Sequence, residues 1–245
     1  MTDSDKTNMV MLSIVKRIRA VPEDRLRDEK WLERMIEDAG ADFGGIEKLD
    51  CPGLWRGGMK LKQLPCQLAK YLNFLSTQSI SSYIEIGVAN GGTFIITAEY
   101  LKRFKAPTEC FAVDIELPSE MMKQYLSLNT ACLFMRTDTQ SGQFPIKLAG
   151  STFDYCLIDG NHTAPAVRKD YETMKPLCRL IGFHDIIDQA NQPGVVEAWR
   201  SIPKELWNTF ENQYGLKPGC DLALPIMGLG VIGFRPEKKE TDGKQ

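Results

Sequence analysis

The sequence has only two histidines in 245 residues and no hydrophobic run long enough to cross a membrane. Its longest apolar stretch, residues 222–234, contains Pro225 and three glycines and is shorter than the roughly 20 residues that a bilayer requires. An excess of basic residues is also missing, since 30 Lys and Arg face 32 Asp and Glu. Proteins that bind nucleic-acid backbones usually carry such an excess. We therefore expect neither a membrane nor a nucleic acid among the partners.

The seven cysteines do not occur in C-x-x-C pairs, so the spacing typical of a zinc site is missing. Cys110, Cys132, Cys156 and Cys178 lie in or beside apolar runs, which is typical of reduced thiols that act as small core residues. The first residues also lack the basic segment of a secretory signal. Together these features predict a cytoplasmic location.

Several common active-site motifs are missing as well. A Gly-x-Ser-x-Gly motif does not occur, which argues against a serine hydrolase of the α/β type. The G-x-G-x-x-G spacing of dinucleotide-binding proteins is also missing, and no P-loop lysine accompanies the glycine-rich segment at residues 87–92. An NAD-dependent dehydrogenase stays an alternative, but the glycine spacing disfavours it.

The first sixty residues predict a helical cap. Val10, Ile14 and Ile18 recur at helical spacing, and a second helix is expected to begin at Pro22 and to bury Trp31, Leu32, Met35 and Ile36. We assign residues 1–60 to this cap, residues 61–235 to the main domain and residues 236–245 to a charged tail that we expect to be disordered.

The main domain alternates between short apolar runs and helical patterns, which predicts a parallel sheet covered on both faces. The strand candidates are Ser82–Val88, Cys110–Ile115, Ala131–Arg136, Phe153–Ile158, Leu180–Phe183 and Gly228–Phe234. The helix candidates are Leu64–Thr77, Gly92–Phe104, Glu120–Leu128, Ala164–Met174 and Val195–Ile202.

A glycine-rich turn follows the first strand candidate. Gly87, Gly91 and Gly92 permit a tight turn and a close approach of a ligand to the backbone. Glu85 lies inside the strand, where a buried carboxylate needs a partner. Asp114 ends the second strand, the position at which an acid commonly accepts hydrogen bonds from ribose hydroxyls.

This segment resembles the first motif of the class I S-adenosylmethionine-dependent methyltransferases, acid-x-Gly-x-x-x-Gly, in Glu85, Gly87 and Gly91. More narrowly, the chain is similar to small-molecule O-methyltransferases of the group that includes the cephalosporin hydroxylases. The likeness covers roughly residues 60 to 235 and is carried by the helix with Gln67 and by Glu85–Thr93, Phe153–Asp170, Gly182–Ile187 and Gly228–Ile232.

The resemblance implies a doubly wound, Rossmann-like α/β fold with a mostly parallel seven-stranded sheet behind the helical cap. It also implies S-adenosylmethionine as the cofactor. The residues expected to bind it are Glu85, Gly87, Asn90, Gly91, Asp114, Asp138 and Asp159.

Both histidines fall at the predicted carboxyl ends of strands, where ligands bind in open α/β sheets. His162 follows Asp159 by three residues, and His184 directly precedes Asp185. Asp159 and Asp185 could share a divalent cation such as Mg²⁺, with His184 as a further candidate ligand. We predict that His162 is the general base, because an imidazole titrates near neutral pH.

These residues predict an S-adenosylmethionine-dependent methyltransferase that acts on a hydroxyl of a small molecule or sugar, with a divalent cation as a candidate second cofactor. Two further alternatives stay open. An iron-dependent hydroxylase would need two histidines and one carboxylate, which His162, His184 and an aspartate could supply. A binding protein could keep the donor pocket without turnover. We expect a homo-oligomer, in which the N-terminal helices could pair across a dimer.

Overall fold

The computed structural model describes residues 2–41, 57–105, 109–203, 208–212 and 227–233. It contains one seven-stranded sheet with the strand order β3-β2-β1-β4-β5-β7-β6. The strands are β1 (Ser82–Ile86), β2 (Glu109–Asp114), β3 (Cys132–Arg136), β4 (Phe153–Ile158), β5 (Cys178–His184), β6 (Asn208–Asn212) and β7 (Leu229–Gly233). Strands β1 to β5 pair in parallel, whereas β7 runs antiparallel to both β5 and β6. The predicted mostly parallel, doubly wound sheet is confirmed.

Helices precede the first strand, connect the five parallel strands and follow the last of them. They are α1 (Asp3–Ala20), α2 (Glu23–Leu26), α3 (Glu29–Ala39), α4 (Pro65–Ser76), α5 (Gly92–Leu101), α6 (Glu120–Leu128), α7 (Gln143–Lys147), α8 (Ala164–Met174) and α9 (Pro193–Ser201). Sequence periodicity missed α7 and β6. Each has only five residues, too few for a hydrophobic period to be recognised.

The predicted second helix of the cap is wrong in one respect, because the chain breaks it into α2 and α3. Asp28 has extended backbone angles between them, and its carboxylate accepts hydrogen bonds from the backbone N–H groups of Lys30 and Trp31. An aspartate at this position starts a new helix rather than continuing the old one. Residues 42–56 of the cap and the whole predicted tail lie outside the described residues.

Hydrophobic layers cover both faces of the sheet. On one face, Ile14 of α1, Ile36 of α3 and Leu68 of α4 share a buried cluster with α5 and α6. All ten residues of α5 are buried, and most of them are apolar, as is typical of a helix enclosed on all sides. On the other face, α8 and α9 cover β4 and β5, and Trp199 is packed there against Phe183. Trp199 is thus a core residue and does not line a cleft.

The strand order reverses direction between β1 and β4, which are neighbours in the sheet although five other elements of structure lie between them in the chain. At such a switch point the loops after the two strands diverge to opposite faces and leave a crevice at the carboxyl edge. The carboxyl end of β1 is followed by Gly87 and that of β4 by Asp159. The fold therefore places the glycine-rich turn beside the first of the two histidine-bearing loops.

The described helices include none that is both long and apolar enough to span a membrane.

Candidate active site

Gly87 brings the end of β1 into direct contact with the end of β4. Its φ angle is +85°, a left-handed conformation that favours glycine. A Cβ atom at this position would overlap the backbone carbonyl of Asp159. Gly87 is therefore required both by its backbone conformation and by the close approach of the neighbouring strand.

Asp114, at the end of β2, holds the glycine-rich turn in shape. One of its carboxylate oxygens accepts a 2.8 Å hydrogen bond from the backbone N–H of Ala89, and the other accepts a 2.9 Å bond from that of Glu116. Ala89 has a left-handed φ of +46°, which is uncommon for a residue with a side chain. A carboxylate has about four lone-pair sites, so Asp114 keeps acceptor capacity for a ligand hydroxyl.

Asp114 lines a cleft of about 330 Å³ at the carboxyl ends of β1, β2, β3 and β4. We call this the ribose-side cleft. Its floor and walls also include Asp138, which the sequence predicts as a binding residue, and Asp159. The remaining lining residues are Ile86, Gly87, Ala89, Val113, Ile115, Thr137, Thr139, Gln140, Gly160 and Asn161.

A second cleft of about 260 Å³, which we call the histidine cleft, lies on the other side of the turn. It is lined by both histidines and by Glu85 and Asn90, together with Lys60, Lys62, Gln63, Gly87, Val88, Ala89, Gly92, Thr93, Asp159 and Gly160. The two clefts have Gly87, Ala89, Asp159 and Gly160 in common. One elongated ligand could thus occupy both.

Gly91 was predicted to bind the cofactor, and the structure gives it a different surrounding. Its φ is +90°, and an added Cβ would lie 2.8 Å from the sulfur of Met122, a buried residue of α6. Gly91 is not among the residues that line either cleft. The left-handed conformation favours a glycine here, and the contact of Gly91 with the cofactor stays a prediction.

Glu85 is buried in β1, and its carboxylate accepts a hydrogen bond from the hydroxyl of Tyr83. Burial raises the pKa of Glu85 to about 8, and the negative charge of Asp159 contributes, although the Tyr83 hydrogen bond opposes the shift. At neutral pH the carboxyl group is therefore mostly protonated in this structure. A cation placed in the histidine cleft would favour its ionised form.

The two histidines and two aspartates form one compact cluster. Nδ1 of His184 lies 3.1 Å from Oδ1 of Asp159 and 3.4 Å from Oδ1 of Asp185. Nε2 of His162 lies 3.3 Å from Oδ1 of Asp159, and its Nδ1 lies 3.5 Å from Oδ2 of Asp185. The cluster thus joins two loops that are more than twenty residues apart in the chain.

The pKa values of the cluster are shifted by mutual pairing. Burial by itself would raise the pKa of Asp159, but the positive charges and hydrogen bonds of the imidazoles hold it well below its usual range. Burial would lower the pKa of His184, yet Asp159 and Asp185 raise it well above 6.5. For His162, burial again opposes the shift, and the hydrogen bond and charge of Asp159 raise the pKa. The pairing thus makes both imidazoles stronger bases than a free histidine and makes Asp159 a weaker base than a free carboxylate.

The imidazoles differ in how open they are to a ligand. The His162 side chain is 30% exposed, whereas that of His184 is 4% exposed. Nε2 of His184 is buried and has no hydrogen-bond partner among the described residues. His162 is thus the histidine that an incoming ligand can reach first.

Donor atoms of Asp159, His162 and Asp185 all lie within 4.8 Å of one another. Two carboxylates and an imidazole suit a divalent transition metal such as Mn²⁺ or Fe²⁺ better than Mg²⁺, which prefers oxygen ligands throughout. Asp185 also has a left-handed φ of +60°, a strained conformation that often occurs at functional sites. These three residues fit a divalent cation, and the predicted ligand His184 lies beside them, within 3.4 Å of both aspartates.

Gln63 belongs to the site although sequence reasoning missed it. Its side-chain amide donates a 3.1 Å hydrogen bond to Oδ2 of Asp159 and accepts one from the hydroxyl of Thr93. It is buried and lines the histidine cleft. The neighbouring residues 59 and 61 pack against Gly92. A single glutamine in a segment without a motif offered no signal from which this role could be predicted.

Asp170 is a second residue that sequence reasoning missed. It is buried on α8, and one of its oxygens accepts a 2.9 Å hydrogen bond from the side-chain amide of Gln140, a residue of the ribose-side cleft. Its other oxygen has no partner among the described residues. Burial raises the pKa of Asp170 to about 6. The carboxyl group anchors the loop after β3 to the back of the cleft.

Comparison with known proteins finds one family model that matches part of this chain. Residues 84–186, which span β1 to the end of β5 and the loop after it, match the family model of a methyltransferase domain. No curated protein matches the sequence.

Solved structures share the fold at low sequence identity. The O-methyltransferase TomG of Streptomyces achromogenes, which takes part in tomaymycin synthesis and was solved with S-adenosylmethionine, is 13% identical with a TM-score of 0.51, covering 96% of this chain and 100% of its own. An rRNA methylase of Streptococcus thermophilus is 12% identical with a TM-score of 0.50, covering 69% of this chain and 97% of its own. At these identities the likeness concerns the fold.

Proposed function

We propose that this chain, a class I S-adenosylmethionine-dependent methyltransferase by its matched domain and its fold, methylates a hydroxyl group of a small molecule. The class I family was predicted from the sequence, and that prediction is confirmed; the acceptor atom and the acceptor are our proposal. One observation carries it. The ribose-side cleft and the histidine cleft meet over Gly87, so that a donor bound across the turn reaches a cluster of proton-accepting groups.

The residues of the clefts fit the parts of the methyl donor. Asp114 has acceptor capacity for ribose hydroxyls. Only glycine fits at position 87, so no side chain stands at the place where the donor would cross from one cleft to the other. Glu85 lines the histidine cleft, where its carboxyl group can face the cationic part of the donor. Asp138 lines the ribose-side cleft, beyond the ribose position. When bound, the donor supplies an electrophilic methyl group on a sulfonium sulfur.

We assign the general base to His162. It is the more exposed imidazole of the cluster, and a hydroxyl must lose its proton as it attacks the methyl group. Asp159 and Asp185 contact its two ring nitrogens and fix the ring plane. The side-chain amide of Gln63 donates a hydrogen bond to the other carboxylate oxygen of Asp159. His162 exchanges one of these carboxylate contacts for the acceptor hydroxyl when the acceptor binds.

The acceptor is proposed to be small and not a nucleic acid. The histidine cleft is about 260 Å³, which suits a small molecule. The net charge of the chain is −2, and RNA binding usually relies on a basic surface. The structural neighbours include both an O-methyltransferase and an rRNA methylase, so the acceptor argument depends on the cleft and the charge and not on those neighbours.

As an alternative to a general base, we propose that Asp159, His162 and Asp185 hold a divalent cation, in which case His162 is a ligand and does not accept the proton. Such a cation would lower the pKa of an acceptor hydroxyl bound to it. Calorimetric titration with Mn²⁺ tests this without reference to activity. Saturable binding that Asp185→Asn weakens at least about tenfold, because an amide offers less charge, supports the site. Equal affinity in the variant would exclude it.

Donor binding is tested by calorimetric titration with S-adenosylhomocysteine. We expect Asp114→Asn to weaken binding by about tenfold or more, the loss expected for charged hydrogen bonds to hydroxyls. Asp154→Asn is the matched control. The Asp154 carboxylate also accepts bonds from two backbone N–H groups, those of Ser81 and Ser82, but at the opposite edge of the sheet. Equal losses in both variants, or no binding by the wild type, would refute the donor site.

The reaction is tested with a panel of phenols, sugars, amines and RNA in the presence of labelled S-adenosylmethionine. Label in a hydroxyl-bearing small molecule supports the proposal, and label in RNA or in amines alone refutes it. Two of the rival functions have their own signatures in the same assay. Oxygen uptake with a 2-oxoacid and without the methyl donor indicates a hydroxylase, and tight donor binding without any product indicates a binding protein.

A further inference from the structure

Four cysteines form two neighbouring pairs in the sheet, and the methyltransferase site uses neither. Cys110 of β2 and Cys132 of β3 are register partners on adjacent parallel strands, and the Cys110 thiol hydrogen-bonds to the Cys132 sulfur. Cys156 of β4 and Cys178 of β5 also interact through a hydrogen bond. All four are buried. The chain therefore contains two thiol pairs of similar burial whose surroundings can be compared.

The Cys132 sulfur lies in a polar and cationic environment. Nζ of Lys102, on α5, is 3.3 Å from this sulfur, and the hydroxyl of Tyr125, on α6, is 3.7 Å away. The same lysine pairs with Glu99 at 3.2 Å, and Glu99 is paired in turn with Arg19 of α1 at 2.6 Å. Because Arg19 offsets the charge of Glu99, Lys102 is left to compensate a negative charge on sulfur.

Ionisation of the Cys132 thiol is favoured by this arrangement. The hydrogen bond from Cys110 has the largest effect, burial opposes it, and the charge of Lys102 adds to it, so that the pKa of Cys132 falls to about 6. The same hydrogen bond, together with burial, raises the pKa of Cys110.

The surroundings of the second pair, Cys156 and Cys178, disfavour a thiolate on Cys156. Burial raises the pKa of Cys156, and its hydrogen bond with Cys178 and the negative charges of Asp170 and Glu85 raise it further. Cys156 and Cys178 are also not register partners, because Phe153 lies opposite Cys178 and Ile181 lies opposite Cys156. Two pairs with similar burial thus differ in charge and in alignment.

We propose that Cys132 is a site of oxidation by peroxides and that Cys110 is its resolving partner. Reactive cysteines are those held as thiolates by nearby cations, whereas buried thiols without them are inert. The Cα atoms of register partners in a sheet lie about 5 Å apart, within the range that a disulfide spans.

The chemistry balances with a peroxide as the only oxidant. The Cys132 thiolate attacks one peroxide oxygen, an S–O bond forms as the O–O bond breaks, and the departing hydroxide takes up a proton to become water. Sulfur loses two electrons to the peroxide and becomes a sulfenic acid. The Cys110 sulfur then attacks the Cys132 sulfur, an S–S bond forms as the S–O bond breaks, and the second hydroxide leaves as water with the Cys110 proton.

We expect a small peroxide to approach along Lys102, whose side chain is 19% exposed and whose Nζ lies 3.3 Å from the Cys132 sulfur. Cys132 itself is 3% exposed. This restricts the reaction to reagents of about the size of hydrogen peroxide and protects the thiolate from bulky ones.

The test exposes the folded protein to hydrogen peroxide, quenches samples by denaturing alkylation and maps each cysteine by mass spectrometry. We expect a Cys110–Cys132 disulfide to form at least about tenfold faster than oxidation of Cys156 or Cys178, since the rate follows the thiolate fraction. Cys110→Ser should leave oxidised Cys132 without the disulfide. Equal rates for the two pairs, or faster loss of Cys156, would overturn the proposal.

Two variants separate charge from packing. Lys102→Met should slow oxidation of Cys132 about tenfold, and Lys102→Arg, which keeps the cation, should restore most of the rate. If Lys102→Met does not fold, as judged by circular dichroism, the comparison of the two pairs in the wild type still decides the question. An unchanged rate in a folded Lys102→Met variant would refute the role of the cation. No methyl acceptor is needed, so the result does not depend on the proposed function.

Discussion

The two clefts that meet over Gly87 are built in different ways. In the ribose-side cleft, Asp114 and Asp138 each accept a bond from a backbone N–H group two residues further along the chain, and Asp114 accepts another from that of Ala89. In the histidine cleft, the side chains of Gln63, Asp159, His162 and His184 contact one another across up to about a hundred residues of chain. The first cleft is thus shaped by bonds from carboxylates to the backbone of its loops. The second is shaped by contacts among side chains that come from distant segments of the chain.

This difference predicts how the clefts respond to substitution. A loop stabilised by its own backbone contacts binds a ligand independently of distant side chains. A cluster of paired charges shares its energy among all members, so that removal of one changes the others. We therefore expect substitutions in the ribose-side cleft to change mainly the affinity for the donor, and substitutions in the histidine cleft to change mainly the turnover.

The largest expected effect concerns His162. His162→Ala should lower turnover by about 10²–10⁴-fold, the usual loss for a general base, while the affinity for S-adenosylhomocysteine stays nearly unchanged. Steady-state kinetics and calorimetry provide the two measurements. His184→Ala is the comparison, because His184 contacts the same two aspartates but is almost enclosed. A greater loss in His184→Ala than in His162→Ala would transfer the role of base to His184.

Gly87→Ala should be the most damaging change to the boundary of the two clefts. The new Cβ has to adopt a left-handed conformation and overlaps the carbonyl of Asp159, so we expect a loss of about 3 kcal/mol in the free energy of unfolding. Gly150→Ala is the matched control, since Gly150 has a φ of +81° and no neighbour within 4 Å of an added Cβ. It should lose only about 1 kcal/mol. Equal losses in urea unfolding would mean that the contact with β4 contributes nothing.

Glu85 should couple donor binding to proton release. Its pKa of about 8 means that the free protein holds this proton at pH 7, and a bound ammonium group would lower the pKa and expel it. We expect about one proton released at pH 7 and none above pH 9. Calorimetry of S-adenosylhomocysteine in buffers of different ionisation enthalpy counts the protons. Glu85→Gln should abolish the release, and a release that persists in this variant would assign it to another group.

The smallest expected effect concerns Asp170. Its folded-state pKa of about 6 lies above the ordinary value of 3.8, so the folded protein takes up this proton before the unfolded chain does. Wild-type stability should therefore fall relative to Asp170→Asn as the pH rises from about 4 through 6, and then stay constant. Between pH 4 and 7.5 we expect the wild type to lose about 2 kcal/mol of stability relative to the variant. A difference between the two proteins that does not change between pH 4.5 and 7.5 would contradict the shifted pKa.

Much of this architecture could be predicted from the sequence because its signals are local. Apolar runs such as Phe153–Ile158 and the helix Ala164–Met174 have the same bounds in the structure as in the sequence pattern. The turn at Gly87 and the acid at Asp114 were recognisable because backbone conformation restricts the residues that can occupy such positions. The break at Asp28 was missed, because a side chain that caps a helix also occurs inside helices.

The candidate site was predicted only in part. Asp159, His162, His184 and Asp185 were identified from their places at strand ends, and the structure brings all four together. The packing of Met122 beside Gly91 could not be predicted, because it depends on where α6 packs. Gln63 and Asp170 could not be found, since their partners lie 96 and 30 residues away.

The sequence by itself determined the order of strands and helices, the left-handed turn at Gly87 and the presence of acids and histidines at the strand ends, because periodicity and backbone conformation act between near neighbours in the chain. The tertiary structure decided which of those side chains share charge: that both imidazoles lie between Asp159 and Asp185, that Glu85 is buried beside Tyr83, and that Lys102 lies beside Cys132 rather than Cys156. These are contacts between distant segments, and electrostatic effects of this size arise only where folding removes water from around the charges.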